Sequence, residues 1–183
     1  METRPVSKPR AAIARGIVAT VCGIVWPLAA QSPHAHVRSL ERHLHKLILK
    51  AIVRSASFGR LVQRLDAANV IVYLTCSRID ARPPAPRLSF LTQAGTWRYL
   101  VVHLRCPTPD DPQIVTLAHE LRHAVEIADA RDVVDQRSML GYYLRIGHEV
   151  PYGTERIRAF DTASACIMEA VVRRELAQRW SEP

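Results

Sequence analysis

Two histidines and one glutamate lie within five residues of one another in the 183-residue chain. They are His119, Glu120 and His123, and the segment that contains them reads HELRH. Residues four apart share one face of an α-helix, so both imidazoles can reach the same metal ion. Imidazole nitrogen suits zinc, which takes tetrahedral coordination and carries no redox chemistry. The spacing therefore predicts a zinc site of the HExxH type.

Glu120 follows the first histidine directly, which places it beside such a site without making it a ligand. A bound metal ion lowers the pKa of a water molecule, and a neighbouring carboxylate can accept the proton during attack on a carbonyl. We therefore expect Glu120 to be the catalytic base of a hydrolase that uses a zinc-bound water. The rest of the helix is largely apolar, so its polar residues need partners, because an unpaired buried charge is costly.

A zinc site needs a third protein ligand, and the sequence offers several carboxylates. Glu126 is excluded because it lies seven residues after His119, about 10.5 Å along the axis of a regular helix. It is expected instead to hydrogen-bond to an imidazole N–H or to contact Arg122. Glu155 and Asp161 remain as third-ligand candidates, and the residues alone leave the choice between them open.

Other polar residues downstream could bind or polarise a substrate. His148 follows a predicted helix in a short loop, where it could ligate the metal or polarise a carbonyl. An oxyanion needs at least one hydrogen-bond donor besides the metal. The candidates for this donor are His148, Tyr142, Tyr143, Tyr152 and Arg145. For each tyrosine, simple packing of its helix is the competing interpretation.

The elements that precede the motif are predicted from periodicity. Apolar residues at helical spacing predict a helix over 36–54, and a shorter helix with Ser57 as N-cap extends to Leu65. A β-branched run over 70–74 predicts a buried strand. Two further strand-like runs, 88–91 and 97–106, flank turn residues 92–95 and predict a hairpin. Three prolines make residues 81–86 a loop.

The motif and the rest of the chain are predicted to be helical. The site helix is expected over 112–130 with Asp110 and Asp111 as caps, followed by a helix over 133–146. A last helix begins at Glu155 or Asp161 and extends to Trp180. Its expected buried residues are Phe160, Ala163, Ile167, Ala170, Val171 and Leu176. The fold class is α+β, with a short antiparallel sheet packed on a mostly helical domain.

The first 30 residues resemble a secretory signal. Residues 1–15 carry four basic residues against one acidic residue, and an apolar run of about 15 residues, shorter than the roughly 20 that span a bilayer as a helix, follows over 16–30. We expect residues 1–30 to be a cleaved signal peptide and 31–183 to be a single exported domain, periplasmic or secreted, with no stable membrane insertion. An uncleaved anchor is the alternative.

Charge and cysteines add two expectations. The formal net charge is +8, and removing the four basic and one acidic residues of 1–30 leaves +5. No basic run is interleaved with aromatic residues, so we expect no nucleic-acid partner. Cys76 and Cys106 each end a strand-like run, and export favours oxidation, so they could pair. Buried free thiols are an equally good interpretation, and Cys166 is left over in either case.

The segment HELRH, in a helix after a strand hairpin, resembles the zincin superfamily of metallopeptidases. More narrowly, the chain resembles small exported bacterial proteins that contain an HELxHAxEIA segment and an aromatic-Glu-Thr-x-x-Ala segment at the start of a final helix. In this chain residues 160–165 correspond to the aromatic-Glu-Thr-x-x-Ala segment, and the resemblance covers roughly Ser57–Leu176. It implies a gluzincin-type site in which His119, His123 and Asp161 are ligands. The chain has Asp161 where glutamate is expected, which keeps Glu155 as the alternative.

Three functions from different classes follow. The first is a secreted zinc-dependent peptidase that acts on peptides or proteins. The second is a non-catalytic exported zinc-binding or protein-interaction domain with a vestigial HExxH site, which would need a fourth protein ligand. Glu120 speaks against the second, since a purely structural site needs no base. The third is a basic protein that binds nucleic acid or the cell envelope, which the scattered charges disfavour.

Overall fold

The computed structural model describes residues 35–78, 86–150 and 159–178. The chain divides into two units, 1–30 and 31–183, and all described residues belong to the second. Several predictions therefore fall outside the described residues: the signal peptide, most of the proline-rich loop, Tyr152 and Glu155.

The main sheet has four strands in the order β1-β2-β4-β3. These are β1 (Val37–Ser39), β2 (Val70–Arg78), β3 (Arg87–Ala94) and β4 (Trp97–Cys106). Within this sheet, among the described residues, the β1–β2 and β2–β4 pairs are parallel and the β3–β4 hairpin is antiparallel. The α+β class is confirmed, but the prediction of an antiparallel sheet is wrong. After β2 the chain crosses to the edge of the sheet and forms β3, and it then returns as β4, which lies between β2 and β3.

Two helices precede β2, and the start of the first differs from the prediction. Helix α1 (Arg42–Arg54) begins six residues later than expected, because the preceding residues form β1. Val37 is buried opposite Val72 in the parallel pair. Leu40, which the helical stripe included, is fully exposed. Helix α2 (Ala56–Asp66) is confirmed, although its N-cap is Ser55, whose side chain accepts a hydrogen bond from the Phe58 N–H, and not Ser57.

The predicted hairpin is confirmed as β3 and β4, with a tighter turn than expected. Strand β3 extends to Ala94, so the turn is Gly95–Thr96, and Gly95 has a φ of +57°. Glycine suits this left-handed conformation because it has no Cβ to clash with the backbone.

The motif lies on α3 (Asp110–Asp129), which packs against α2, α5 and strands β3 and β4. Asp110 and Asp111 lie in its first turn and do not cap it, since the N-cap is Pro109. Their negative charges still favour the N-terminal end of the helix dipole. At the other end, the buried Arg98 guanidinium of β4 donates to the carbonyls of Ile127 and Ala130 at 2.6 and 2.7 Å. These bonds satisfy carbonyl groups that a helix end leaves unpaired.

The elements after α3 are α4 (Gln136–Ile146), β5 (His148–Val150), β6 (Ala159–Asp161) and α5 (Ala163–Gln178). The predicted helix over 133–146 begins later, at Gln136, because Asp135 and Ser138 form a capping box. Helix α5 begins at Ala163, since Thr162 Oγ1 accepts a hydrogen bond from the Ala165 N–H at 3.2 Å. Strands β5 and β6 form an antiparallel pair, which sequence analysis missed.

The predicted buried face of α5 is largely wrong. The buried residues are Ala165, Val172 and Leu176, whereas Ile167 is 63 % exposed. The helix carries apolar residues on more than one side, so its periodicity does not single out one face.

The core lies between the main sheet and the helices α1, α2 and α3. Its largest fully buried side chains include Phe58, Leu44, Ile48, Leu100, Leu104, Ile114 and Leu117. Cys76 and Cys106 form a disulfide between β2 and β4, so the pairing that sequence analysis left open is present, and Cys166 is a free, exposed cysteine. Among the described residues, no helix combines the length and apolar character needed to cross a bilayer.

Candidate metal centre

Three predicted ligand residues converge at one point beside α3. His119 Nε2 lies 3.2 Å from His123 Nε2, and Asp161 Oδ1 lies 3.4 Å from the first of these nitrogens and 3.9 Å from the second. The two histidines are one helical turn apart on α3, and Asp161 is the last residue of β6. The structure thus brings together residues from two distant parts of the chain.

The remaining ring nitrogens each face a carboxylate. His123 Nδ1 lies 2.9 Å from Glu126 Oε2, and His119 Nδ1 lies 3.2 Å from Glu169 Oε2 on α5. An ionised carboxylate only accepts hydrogen bonds, so each imidazole donates through Nδ1–H, and this network assigns the tautomer. Both Nε2 atoms then carry lone pairs that point towards each other and towards Asp161. Three acceptors with no proton between them favour a cation at their centre.

The spacing of these atoms fits zinc. Ligand atoms 2.0–2.1 Å from a tetrahedral zinc ion are about 3.4 Å apart, and the three separations observed are 3.2, 3.4 and 3.9 Å. Two imidazoles and one carboxylate are also the donor set of open zinc sites that leave a fourth position for water or substrate. His119, His123 and Asp161 could therefore hold zinc with little rearrangement.

The Glu126 carboxylate has hydrogen-bond partners besides His123. Its other oxygen, Oε1, accepts a hydrogen bond from Thr162 Oγ1 at 2.7 Å and another from the Ser164 hydroxyl. Burial acts to raise the pKa of Glu126, but the hydrogen bonds from His123, Ser164 and Thr162 outweigh it, so the pKa is lowered. Glu126 is thus an ionised acceptor that orients the His123 ring, as expected for a residue excluded as a ligand.

Burial of the site also acts on His119. Burial lowers the pKa of this histidine, and positive charge on His123 lowers it further, while Asp161 and Glu169 oppose both effects. A histidine must be neutral to bind a metal ion. The environment therefore favours the binding-competent form of His119.

Glu120 lies on the buried side of α3 and is only 6 % exposed. Burial raises its pKa to about 7, positive charge on His123 acts in the opposite direction, and so does a hydrogen bond from the Leu88 backbone of β3. A carboxyl group with this pKa can accept and return a proton near neutral pH. Its position next to His119 is the one expected for a general base.

Close packing of the backbone holds Asp161 in place. Strands β5 and β6 pair so that His148 lies opposite Asp161, and Gly147 immediately before them lies against the Asp161 carbonyl. A Cβ atom added at Gly147 would be 2.8 Å from Asp161 O and 3.0 Å from Tyr143 O. Only glycine allows this close approach without displacing the backbone that carries Asp161, the predicted third ligand.

The other candidate residues that the structure describes are not part of the ligand group. His148 is exposed in β5, not in a loop, and does not belong to the ligand group found among the described residues. Tyr143 is buried, its hydroxyl donates to the His123 carbonyl at 3.2 Å, and its ring packs edge-on against the His123 ring. For Tyr143, these contacts agree with helix packing, the competing interpretation, and not with a role as an oxyanion donor. Arg145 forms an exposed ion pair with Asp132 and stacks on Tyr142.

Sequence analysis missed four residues of the site. Glu169 orients His119 and is paired with Arg173 one turn later on α5. Thr162 and Ser164 bind Glu126, and Cys166 Sγ donates to Asp161 Oδ2 at 3.3 Å. One signal could have found Glu169, because metal-binding histidines need carboxylate partners and α5 carries few acidic residues. The hydroxyl contacts depend on how α5 begins, which the sequence does not reveal.

Comparison of the chain with protein-family models, with curated proteins and with solved structures finds no match in any of the three. The assignment of a function therefore depends on the geometry of the site.

Proposed function

We propose that the chain is a zinc-dependent hydrolase that cleaves peptide bonds. One observation supports the proposal above all others: the ligand atoms of His119, His123 and Asp161 lie within 4.8 Å of one another, with the buried carboxyl of Glu120 on the same helix. A purely structural zinc site has no use for a buried base in this position.

In the proposed mechanism, some residues bind and orient the metal ion and Glu120 transfers the proton. Zinc, when bound, acts as a Lewis acid that lowers the pKa of water and polarises a carbonyl group. Glu120 accepts the proton of the attacking water and returns it to the leaving amine. Glu126 and Glu169 keep the two imidazoles in the tautomer and orientation that binding requires. Apolar packing around α3 excludes bulk water from Glu120.

The sheet edge supports a peptide as the substrate. Among the described strands, β3 pairs only with β4 and forms the edge of the main sheet. Helix α3 packs against β3, and the Leu88 backbone of this strand acts to lower the pKa of Glu120, so this edge passes close to the base. An edge strand offers backbone donors and acceptors to an extended peptide. The Phe90 N–H donates a hydrogen bond to the exposed Gln136 side chain at 3.1 Å, which a substrate could displace.

The proposal includes export from the cytosol. The Cys76–Cys106 disulfide supports it, because disulfides persist in oxidising compartments. The basic and apolar residues of 1–30 support it independently.

A non-catalytic zinc-binding domain is the second candidate. Cys166 favours it, since its thiol already contacts Asp161 and a sulfur ligand could close the fourth position of the site. A closed site would bind zinc without hydrolysing anything.

Glu120→Gln separates the two candidates. If the hydrolase proposal is right, the variant keeps about one zinc per chain but loses at least about 100-fold in hydrolysis of a quenched fluorescent peptide library. Glu41→Gln is the matched control, because it removes a carboxylate outside the site and should keep full activity. Hydrolysis that is absent in the zinc-loaded parent chain, or unchanged in Glu120→Gln, would favour the binding domain.

A further inference from the structure

A second cluster of metal-binding side chains lies where α1 begins beside the ends of β2 and β4. His43 Nε2 is 3.1 Å from Cys76 Sγ and 3.8 Å from Cys106 Sγ, so one ring nitrogen faces both sulfurs of the disulfide. The His43 side chain is 58 % exposed, so a solute can reach it. The proposed hydrolase makes no use of these residues.

We propose that reduction of the Cys76–Cys106 disulfide creates a second zinc site, with both thiolates and His43 Nε2 as ligands. A dithiol reductant supplies two electrons and two protons to the S–S bond. The bond breaks, the protein gains two thiols, and the reductant becomes a disulfide. Zinc then takes the place of the two thiol protons, which are released to solvent. This inference is independent of the proposed function.

The observed distances are close to those of a zinc site. With zinc–sulfur bonds of 2.3 Å and zinc–nitrogen bonds of 2.0–2.1 Å, tetrahedral geometry places nitrogen and sulfur about 3.6 Å apart. The two distances from His43 Nε2, 3.1 and 3.8 Å, lie on either side of this value. The sulfurs themselves must separate to about 3.8 Å. Rotation of the two cysteine side chains provides this once the disulfide is broken.

Two further residues prepare the cluster for a metal ion. The Cys76 N–H donates to Glu41 Oε1 at 2.8 Å, and the other carboxylate oxygen, Oε2, lies 3.9 Å from His43 Nε2, where it is available as a further ligand. The Gln113 side-chain amide donates to Cys106 Sγ at 3.3 Å. An N–H donor to sulfur stabilises a thiolate more than a thiol and tunes a metal site in the same way.

The disulfide and the zinc site exclude each other, because a bonded sulfur pair offers no thiolate to the metal. A reducing compartment favours the zinc form, and an oxidising compartment favours the disulfide. The redox state of the surroundings thus selects between a disulfide that joins β2 to β4 and a zinc site that also includes α1.

The test uses Co²⁺ as a spectroscopic substitute for zinc in the full chain. Cys22→Ser and Cys166→Ser remove the other two thiols, so any thiolate-to-cobalt charge-transfer band must come from Cys76 or Cys106. The His119 cluster supplies only nitrogen and oxygen ligands, so it contributes no such band. We expect the band in phosphine-reduced protein, with an intensity equal to about one thiolate-bound cobalt per chain in addition to the cobalt held by the His119 cluster, and no band in the oxidised protein.

Variants of two histidines on α1 show whether the site is the folded cluster. His43→Ala should weaken cobalt binding at least about 100-fold. Removing a residue that only hydrogen-bonds to a metal ligand costs up to about 100-fold in affinity, and removing the ligand itself costs no less. His45→Ala, an exposed neighbour on α1, should have no effect. Both histidines are exposed, so neither change threatens the fold. A reduced protein without the band, or a band equally strong in His43→Ala, would overturn the proposal.

Discussion

Gly147→Ala tests whether backbone packing sets the position of the third ligand. The new Cβ would lie 2.8 Å from the Asp161 carbonyl oxygen and 3.0 Å from that of Tyr143, where ordinary contacts begin at 3.4 Å. One strand must therefore move by roughly half an ångström, which exceeds the tolerance of about 0.2 Å for ligand distances in metal sites. Gly147 has a negative φ, so alanine adds no torsional strain.

The expected result is a zinc affinity about tenfold lower, equivalent to about 1.4 kcal/mol, measured by competition with a chromophoric chelator. Overpacking should also cost about 1–3 kcal/mol of stability in the metal-free protein. Gly141→Ala is the control, because nothing lies within 4 Å of its added Cβ in α4. It should leave zinc affinity unchanged and raise stability by roughly 0.5–1 kcal/mol. Equal affinities in the two variants would refute the reasoning.

Four further predictions concern the site and its surroundings. Zinc at about 100 times its Kd should stabilise the fold by about 2.7 kcal/mol, or roughly 5–11 °C in Tm, and His119→Ala should abolish this shift in a thermal scan. Elemental analysis should show that Asp161→Ala loses zinc while Glu155→Ala keeps it; the reverse result would make Glu155 the third ligand. Glu169→Gln should weaken zinc binding about 10–100-fold and leave the fold intact by circular dichroism. Glu175→Gln should lower the free energy of unfolding by about 1–2 kcal/mol at pH 7, and urea titrations should show the deficit shrinking towards low pH.

The pH dependence of this last effect follows from the contacts of Glu175. Burial acts to raise the pKa of this carboxyl group, but hydrogen bonds from Ser55 and Ser57 outweigh it and lower the pKa below its ordinary value of 4.5. A lowered pKa in the folded state means that the stabilisation is fully present above pH 4.5. It is lost as the pH falls through the folded-state value. A deficit that stays constant down to pH 3 would contradict this account.

The parts of the fold that sequence analysis predicted are those that local patterns determine. The motif helix, α2 and the hairpin each carry enough periodic residues to define their faces. The segment before α1 was assigned to the helix because Val37 and Leu40 match helical spacing. Its true conformation depends on parallel pairing with β2, a contact between distant segments that no local pattern contains.

In the candidate site, too, local patterns predict some residues and contacts between distant segments determine the others. His119, Glu120 and His123 lie on one helix, so their spacing alone places them together. The residues alone left Asp161 and Glu155 as candidates, and a resemblance favoured Asp161, which lies beside the two histidines at the end of a strand and not in a helix. The need of metal-binding histidines for carboxylate partners was a signal for Glu169, but which histidine it contacts depends on how α5 packs across α3. Interactions between elements are the part that periodicity leaves undetermined.

The distribution of the ligands over α3 and β6 gives the site an order of assembly. The two histidines lie one turn apart on α3, so formation of that helix alone brings them together, whereas placing Asp161 also requires β6 to pair with β5. If the proposed zinc ion binds here, a partly folded chain holds it through two ligands and exchanges it rapidly. Slow exchange then requires the third ligand, so the dissociation rate of zinc would report how completely a given molecule has folded.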